Sequence, residues 1–478
     1  MASPPHPSIY LLPARPWLHQ LGVSGLAAVS EEDLAAVCRG TDVLWLQGAW
    51  EVGTEGRLHD LSEPGRRKHF EECLEGEFQE EDCIGSPYAI TRYTPSKELG
   101  TEEDLAAFRQ RLADKGVRLM LDFVPNHTAR DSPWVAEIPG LYMPSEDGSP
   151  GVAYGRDPYS GHWTDTAQLN YWAPVCREHM ADQLASIAAR CDGVRIDMAM
   201  LCCNQVIETA WSKVLGPAGF SRPAEEFWPW ALPRVRAVNP NFLVMAECYE
   251  YEQIYPSGTG RLLISQGFDS VYDKGFYDRL TEGHMDNIRG HLQGADRELL
   301  IAGKLCHFVE NHDEERAAAH FKEKTAAAAV ASLTLPGARM MMWGEEFGFR
   351  ERLAVHLRRA KKEQPWKEIA DMHPHLLEVL PLCRGEWQLL EVAGEEGWRI
   401  LAWSWKKAGS PSVIVAVNFT DGEAWANLKV AHLLAGDGEV TLQDRMSGES
   451  YQRSVAELRG ESGLVVGLKA FNFHVFTC

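Results

Sequence analysis

The sequence predicts an α/β protein whose main domain is a closed (β/α)8 TIM barrel, with an inserted domain and a C-terminal antiparallel β domain. Over the first 370 residues, strand-like apolar runs alternate with helix-like segments. Eight such runs spread over roughly 350 residues favour a barrel of parallel strands with crossover helices. An open doubly wound sheet is the structural alternative, and the lack of a Gly-x-Gly-x-x-Gly pattern after the first run weakens it.

The strand candidates are short and apolar, as expected of parallel strands that are buried on both faces. We predict them at residues 8–14, 42–48, 117–123, 192–198, 242–247, 267–273, 305–313 and 338–346. Two helices between them begin with nearly the same residues, Ser30-Glu-Glu-Asp and Thr101-Glu-Glu-Asp. In each, the Ser or Thr side chain can accept a hydrogen bond from a free amide of the first helical turn. The Asp three residues later can accept one from the amide of that Ser or Thr. Gly40 and Gly116 then permit a left-handed stop.

Two regions depart from this alternation. Residues 128–175 are rich in Gly, Pro, Ser, Asp and aromatic residues and are long for a βα loop, which predicts an insertion after the third strand. From about residue 386 the pattern changes to short alternating strands separated by turn clusters, which indicates an antiparallel β-sandwich. The predicted domains are therefore a barrel at 1–127 and 176–385, an insertion at 128–175 and a β-sandwich at 386–478.

Composition and charge exclude several classes of protein. The hydrophobic fraction of 45% and the charged fraction of 24% are those of an ordinary globular chain. A net charge of −21 argues against a nucleic-acid partner and against an anionic membrane surface. No run approaches the roughly 18 apolar residues of a membrane span. The sequence predicts no particular oligomeric state.

The cysteine content indicates a reducing compartment. The 11 cysteines are an odd number and lie mostly in apolar or helical segments, which favours buried free thiols. The N-terminal segment has no basic start followed by an apolar stretch, so we do not predict a secretory signal. No Cys-x-x-Cys pair or other zinc spacing occurs, and we expect a cytoplasmic protein without a zinc site.

Four of the predicted strands end in charged or polar side chains, and these ends point to one shared site. In a barrel, catalytic groups lie at the carboxyl ends of the strands. The polar ends belong to the third, fourth, fifth and seventh strands, and they are Asn126 with His127, Arg195 with Asp197, Glu247, and Asn311 to Asp313.

The three carboxylates among these residues suit the cleavage of an acetal. Arg195 and Asp197 share one strand face, and a guanidinium beside a carboxylate favours the ionised form that a nucleophile needs. Glu247 follows an apolar run, and an apolar surround favours a protonated carboxyl that can act as a general acid. Asp313 can hold sugar hydroxyls and stabilise a developing oxocarbenium charge.

In order and spacing, these segments resemble the four signature regions of the α-amylase family of glycoside hydrolases, which act on α-glucosidic bonds. The matching segments are Asp122 to His127, Gly193 to Asp197, Ala246 with Glu247, and Phe308 to Asp313. The segment from Gln168 to Asn170 resembles a further motif in the family's domain B, and Gly344 to Glu346 resembles the end of its eighth strand. The resemblance runs from about residue 8 to the C-terminus.

The resemblance implies a role for each matching residue and an α-glucan or α-glucoside as the partner. Asp197 would be the nucleophile, Glu247 the acid/base and Asp313 the transition-state stabiliser of a retaining mechanism with a covalent glycosyl-enzyme. Tyr88 would stack on the sugar at which cleavage occurs. The other residues expected to bind that sugar are Asp122, His127, Arg195 and His312.

Some positions depart from the family's pattern. Glucan-cleaving amylases commonly carry Lys and His just after the nucleophile, where they bind the next sugar and help a calcium site; here these residues are Met200 and Leu201. Asn126 of that calcium site is present, but the two departures argue against the site, and we expect no required cofactor. Cys248 follows the acid/base in place of the commoner aromatic, His or small polar residue. We expect these changes to alter which sugars bind next to the one at which cleavage occurs, and to leave the type of reaction unchanged.

The aromatic residues of the insertion have two alternative roles. They can stack on sugar rings, or they can form the core that a small domain needs. They are Trp134, Tyr142, Tyr154, Trp163 and Trp172.

The sequence leaves three functions open. The first is a retaining glycosidase that hydrolyses α-1,4-linked glucose oligomers. The second keeps the same site but passes the sugar to another acceptor, as a glucan transglycosylase, a disaccharide isomerase or a phosphorylase does. The third is a non-catalytic barrel used for binding, and the presence of all three carboxylates with Arg195 and both histidines argues against it.

Overall fold

The computed structural model describes residues 4–478, and its main feature is a closed barrel of eight parallel strands. The first three residues of the predicted barrel segment 1–127 lie outside the described range. We number the barrel strands in chain order, and each neighbours its predecessor around the barrel. They are β1 (Ser8–Pro13), β2 (Val43–Gln47), β3 (Arg118–Phe123), β4 (Gly193–Ile196), β5 (Leu243–Ala246), β6 (Ser270–Tyr272), β7 (Leu305–His307) and β8 (Ala338–Met342).

All eight predicted strands form, although β7 ends at His307, six residues before its predicted end. The register of the strands sets the level of the side chains that follow β4, β5 and β6. Every residue of β2 and β3 is buried, as the apolar runs predict. Ile196 of β4 pairs with Ala246 of β5, and Ala246 pairs in turn with Val271 of β6. The residues that follow these three, Asp197, Glu247 and Tyr272, therefore emerge at one level.

The two helices with matching first residues form as predicted, but only one has the full capping box. Thr101 accepts a hydrogen bond from the Asp104 amide at 3.2 Å, and Asp104 accepts one from the Thr101 amide at 2.8 Å. Ser30 Oγ accepts a hydrogen bond from the Asp33 amide at 3.1 Å, but the Asp33 carboxylate accepts a hydrogen bond from the Ser30 hydroxyl at 2.5 Å and not from the Ser30 amide. Residues 40 and 116 are left-handed glycines, with φ of 69° and 77°.

Helices lie between the barrel strands along the chain, in the insertion and after β8. Those with the predicted caps are Glu31–Cys38 and Glu102–Asp114. The others are Ala14–Leu21, Thr54–Ser62, Pro64–Cys73, Trp134–Glu137, Pro174–Arg190, Asn204–Leu215, Phe227–Val238, Thr259–Ser265, Lys274–Glu282, Met285–Gln293, Arg297–Ile301, Ala317–His320, Thr325–Leu333 and Lys367–Val379.

An inserted domain after β3 is confirmed. It contains an antiparallel pair of strands, His127–Ala129 with Thr166–Gln168, and it ends at the helix Pro174–Arg190. A second small antiparallel pair, Trp50–Val52 with Ile90–Pro95, lies between β2 and β3 in the chain.

The C-terminal antiparallel β domain is also confirmed. Its strands form a six-stranded sheet in the order β9-β11-β12-β17-β14-β15 and a three-stranded sheet in the order β10-β13-β16. They are β9 (Glu386–Leu389), β10 (Val392–Ala393), β11 (Ile400–Lys406), β12 (Val413–Asn418), β13 (Ala424–Leu428), β14 (Glu439–Asp444), β15 (Ser450–Ser454), β16 (Leu464–Leu468) and β17 (Phe473–Thr477). A short helix, Val455–Arg459, joins β15 to β16.

Two tryptophans of β11 attach the C-terminal sheet to a barrel helix. Trp403 and Trp405 are buried, and their indole N–H groups donate to the hydroxyl of Thr334 at 3.2 Å and to its carbonyl oxygen at 2.8 Å. Thr334 caps the C-terminus of the helix Thr325–Leu333. Trp403 and Trp405 therefore pack the sheet against this helix. Trp425 of β13 differs, because 57% of its surface is exposed.

By internal contacts, the described chain divides into two compact units. The first comprises Tyr10–Tyr272 and Arg352–Lys362, and the second comprises Pro4–Ile9, Asp273–Glu351 and Glu363–Cys478. This division does not follow the predicted domain boundaries, which stay predictions. Between residues 4 and 478, no helix is long and apolar enough to cross a membrane. All eleven cysteines are free thiols, and eight of them are buried.

Gly193 marks a close approach of β4 to β5 that can be tested. A Cβ atom on Gly193 would lie 2.8 Å from Leu243 Cβ and 2.9 Å from the Leu243 carbonyl oxygen. We expect G193A to lower the free energy of unfolding by about 1–3 kcal/mol in urea titrations, because overpacking forces backbone shifts. The control is G290A, where a Cβ meets nothing within 4 Å. Equal stability of G193A and the unmodified chain would contradict the close approach.

Candidate active site

The centre of the candidate site is the guanidinium of Arg195, which lies fully buried on β4 in the first unit. Its Nη1 donates to Asp197 Oδ1 at 2.7 Å, and its Nη2 lies 2.7 Å from Glu247 Oε2. Asp122 of β3 lies 3.9 Å from the same guanidinium. One cation therefore joins three carboxylates that come from, or directly follow, three neighbouring strands.

Three aromatic rings surround this cation. The guanidinium carbon lies 5.2 Å from the ring centre of Trp45, 5.1 Å from that of Tyr88 and 6.0 Å from that of Tyr272. The Tyr272 hydroxyl also accepts a hydrogen bond from Arg195 Nε at 3.4 Å. Burial opposes the charge, but the nearby negative groups, Glu247 first among them, raise the pKa of Arg195 well above its ordinary value. The guanidinium is therefore a fixed positive charge within a cage that excludes water.

Asp122 supports Arg195 from a position that protein groups enclose. Its side chain is buried, and its two oxygens accept hydrogen bonds from Trp45 Nε1 and from the Gly48 amide, each at 3.1 Å. Burial, opposed by Arg195, raises the pKa of Asp122 to about 7. These hydrogen bonds connect β3 to the end of β2. The expected contact between Asp122 and a sugar stays a prediction.

Glu247 has polar neighbours where the preceding apolar run predicts an apolar surround. Besides Arg195, the Met198 amide donates to Oε2 at 2.7 Å, and the Tyr249 hydroxyl donates to Oε1 at 3.2 Å. The Met198 donor belongs to a backbone turn, in which Met198 adopts a left-handed conformation with φ of 41°. Such a turn is uncommon for a residue other than glycine, so the sequence pattern does not predict it.

Tyr88 and His127 also lie in the first unit. Tyr88 is partly exposed, and its hydroxyl accepts a hydrogen bond from Gln47 Nε2 at 2.8 Å. His127 is buried, and its ring meets Trp163 edge-on at 5.2 Å. Burial lowers the pKa of His127, although Asp197 acts against the shift, so the imidazole is neutral near pH 7.

The fourth motif lies in the second unit, directly after β7. Asn311 Oδ1 accepts hydrogen bonds from the amides of Asp313 at 2.8 Å and Glu314 at 3.1 Å, which closes a tight turn. His312 Nε2 lies 3.2 Å from Asp313 Oδ2. The side chain of His312 is 1% exposed and that of Asp313 is 44% exposed, so the turn presents Asp313 to solvent.

The departures after the nucleophile have a structural explanation. Met200 and Leu201 lie in the short helix Ala199–Cys202 and are buried, so they pack in the core and do not offer groups to a sugar. The side-chain oxygen of Asn126 accepts a hydrogen bond from Gln168 Nε2 at 3.0 Å. Among the described residues, no group of three or more His, Cys, Asp or Glu side chains is arranged to hold a metal ion. Protein groups thus already occupy the side-chain oxygen of Asn126, and the expectation that no cofactor is required stays a prediction.

The insertion's aromatic residues differ in burial, and a sugar-stacking role stays a prediction for the exposed ones. Three of them form its core, because only 4% of Trp134, 5% of Tyr142 and 9% of Trp172 is exposed. Tyr154 is 41% exposed and lies under Arg130, whose guanidinium carbon is 4.5 Å from the ring centre.

Four contributors to the site were not predicted from the sequence. Trp45 and Tyr272 lie on strands that the sequence does predict, but their contact with Arg195 depends on the register between strands. Tyr249 and the Met198 amide depend on the path of the chain after β5 and β4. The only sequence signal is position, since Tyr249 and Met198 each lie within two residues of a predicted catalytic carboxylate.

Two curated relatives match part of the chain. The α-amylase MalA of Haloarcula japonica is 28% identical over 280 residues, which are 55% of this chain and 37% of that protein. An α-1,4-glucan:maltose-1-phosphate maltosyltransferase of Rhodospirillum rubrum is 27% identical over 176 residues, 35% of this chain and 22% of that protein. The chain thus spans less than two fifths of the length of either relative. No family model matches the chain.

Solved structures share the fold over the whole chain. The crystal structure of an α-amylase from Lactobacillus plantarum matches with a TM-score of 0.72 and 21% sequence identity, covering 99% of this chain and 98% of that one. At this identity, the likeness establishes the barrel and its added domains.

Asp122 gives a pH-dependent prediction for stability. Its carboxyl pKa is raised from 3.8 to about 7 in the folded chain, so the folded chain holds a proton that the unfolded chain releases. Stability contributed by this group is therefore present below about pH 4 and is lost as the pH rises through about 7. Because Asn does not titrate, we expect the Tm of D122N minus that of the unmodified chain to increase from pH 5 to pH 8.

The control for this measurement is D286N, because the side chain of Asp286 is 95% exposed. Its Tm difference from the unmodified chain should stay constant over the same pH range. A constant difference for D122N as well would show that Asp122 binds no extra proton in the folded chain.

Proposed function

We propose that this chain, a relative of the α-amylase family in sequence and fold, is a retaining enzyme that acts on α-glucosidic bonds of glucose oligomers. The observation that carries the proposal is the attachment of Asp197 and Glu247 to one buried guanidinium. Two carboxylates held this way form the pair that glycoside cleavage requires. The names of both curated relatives, an α-amylase and an α-1,4-glucan maltosyltransferase, support an α-glucan as substrate.

We assign the nucleophile to Asp197. Its Oδ1 is held by Arg195 at 2.7 Å, and its side chain is almost fully buried at the end of β4. Oδ2 then attacks the anomeric carbon as the bond to the leaving group breaks, and a covalent glycosyl ester forms. The guanidinium fixes the attacking carboxylate in one orientation, which lowers the entropic cost of reaching the geometry that the attack requires.

We assign the acid/base role to Glu247. In the first step it gives its proton to the glycosidic oxygen, and in the second it takes a proton from the acceptor that attacks the ester. Because Asp197 and Glu247 contact adjacent nitrogens of Arg195, the geometry favours the short carboxyl separation of retaining enzymes, about 5–5.5 Å, over that of inverting enzymes.

Asp313 and His312 are assigned from the likeness of their segment to the fourth signature region. They follow β7, and His312 Nε2 lies 3.2 Å from Asp313 Oδ2. We assign to Asp313 the stabilisation of the oxocarbenium charge, with His312 beside it. The remaining sugar contacts are assigned to Tyr88, Asp122, His127 and Arg195. The proposed reaction needs no cofactor, and the eleven free thiols support a cytoplasmic location.

The acceptor distinguishes two candidate activities. We propose water, which makes the chain a hydrolase; a sugar acceptor is the second candidate, because one curated relative is a maltosyltransferase. A time course with maltotriose separates them. Hydrolysis raises the concentration of reducing ends with each bond cleaved, whereas larger oligomers without a net gain of reducing ends would show a transferase.

Substitution of the two assigned carboxylates tests the mechanism. We expect D197N to lower kcat on maltotriose by about 10⁴-fold or more, because no nucleophile remains. We expect E247Q to lower it by about 10²–10⁴-fold, because the leaving group is no longer protonated.

The matched control is again D286N, which lies on the surface and should keep normal turnover. Near-normal activity of D197N or of E247Q would refute the corresponding assignment.

A further inference from the structure

We infer that Tyr249 is a positioning residue that holds the Glu247 oxygen from which the transferred proton leaves. The inference rests on the proposed function, because it assumes that Glu247 is the acid/base. Tyr249 lies two residues after Glu247, is partly exposed, and donates its hydroxyl to Glu247 Oε1 at 3.2 Å. Neither the motifs nor the assigned roles above give Tyr249 a function.

The two oxygens of Glu247 have different neighbours, and this difference locates the proton. Oε2 lies 2.7 Å from Arg195 Nη2 and 2.7 Å from the Met198 amide nitrogen. Both groups only donate, since a guanidinium and a backbone amide have no lone pair to accept a proton. A proton on Oε2 would face two donors, so the acidic proton of Glu247 resides on Oε1.

The backbone at Met198 keeps Oε2 in this role. Met198 has a φ of 41°, in the left-handed region that residues other than glycine rarely adopt. Strained residues of this kind persist where the surrounding structure determines them, and they cluster at functional sites. Because the bond to Oε2 comes from the main chain directly after the nucleophile, it fixes Glu247 relative to Asp197.

A tyrosine hydroxyl suits the other oxygen in both protonation states. It can donate to ionised Oε1 and accept from Oε1–H. In the first step, the proton moves from Oε1 to the glycosidic oxygen as the C–O bond breaks and the ester to Asp197 forms. In the second step, the acceptor's proton returns to Oε1 as the ester breaks. Tyr249 keeps its own proton throughout and holds Oε1 at the angle that the leaving group requires.

The experiment compares two leaving groups in the variant Y249F, which retains the ring and loses the hydroxyl. Departure of a sugar from maltotetraose requires protonation, whereas departure of fluoride from α-maltosyl fluoride requires little. We expect kcat/KM of Y249F to fall by about tenfold or more on maltotetraose and by about twofold or less on the fluoride. A purely structural role would lower both values together.

The C-terminal domain offers a matched control. Tyr451 donates its hydroxyl to Glu449, again two residues apart, in a pair that is far along the chain from any assigned residue. Y451F therefore removes the same kind of hydrogen bond, and we expect both kcat/KM values to stay unchanged. Melting temperatures of Y249F and Y451F would confirm that both variants are folded.

The variant E247Q separates the failure of this inference from the failure of the proposed function. If E247Q loses turnover of maltotetraose while Y249F keeps normal values on both substrates, or loses both equally, only the role of Tyr249 is overturned. If E247Q itself keeps normal turnover of maltotetraose, the proposed function is overturned and the role of Tyr249 with it.

Discussion

The candidate site of the first unit depends on one buried cation, the guanidinium of Arg195. A buried charge is costly unless it is paired, and here it contacts Asp197 and Glu247 at 2.7 Å each. A planar guanidinium can bind two carboxylates through adjacent nitrogens, which the single ammonium of Lys cannot do with the same geometry. Burial also raises the pKa of Asp122 to about 7, which limits the negative charge behind Arg195 and leaves the cation to the two assigned catalytic carboxylates.

The barrel supplies the positions that this interaction requires. The in-register pairing of Ile196, Ala246 and Val271 sets Asp197, Glu247 and Tyr272 at one level. The Met198 turn then adds a backbone donor to Glu247 Oε2. As a result, Arg195 holds one oxygen of Asp197 and one oxygen of Glu247. The other oxygen is assigned to nucleophilic attack in Asp197 and to proton transfer in Glu247. The fold thus distinguishes the two oxygens of each carboxylate before a substrate binds.

Much of the fold was predictable because it rests on local patterns. Apolar runs predicted all eight barrel strands, and the Thr101 capping box formed as its sequence indicates. The same local reasoning was incomplete at Ser30, where the Asp33 carboxylate accepts a hydrogen bond from the Ser30 hydroxyl instead of the Ser30 amide. The polar surround of Glu247 was not predictable from the preceding residues, because it comes from Arg195 on the neighbouring strand and from a left-handed turn. Strand register and backbone turns of this kind depend on contacts far apart in the sequence.

The most direct test of this account is chemical trapping of the covalent intermediate. A fluorinated α-glycosyl fluoride that reacts faster than its ester breaks down should label the chain once, and peptide mapping by mass spectrometry should place the sugar on Asp197. The D197N variant should remain unlabelled, while the E247Q variant should accumulate the same ester. A label on another carboxylate, or no label under conditions where the chain turns over the reagent, would contradict Asp197 as the nucleophile held by Arg195.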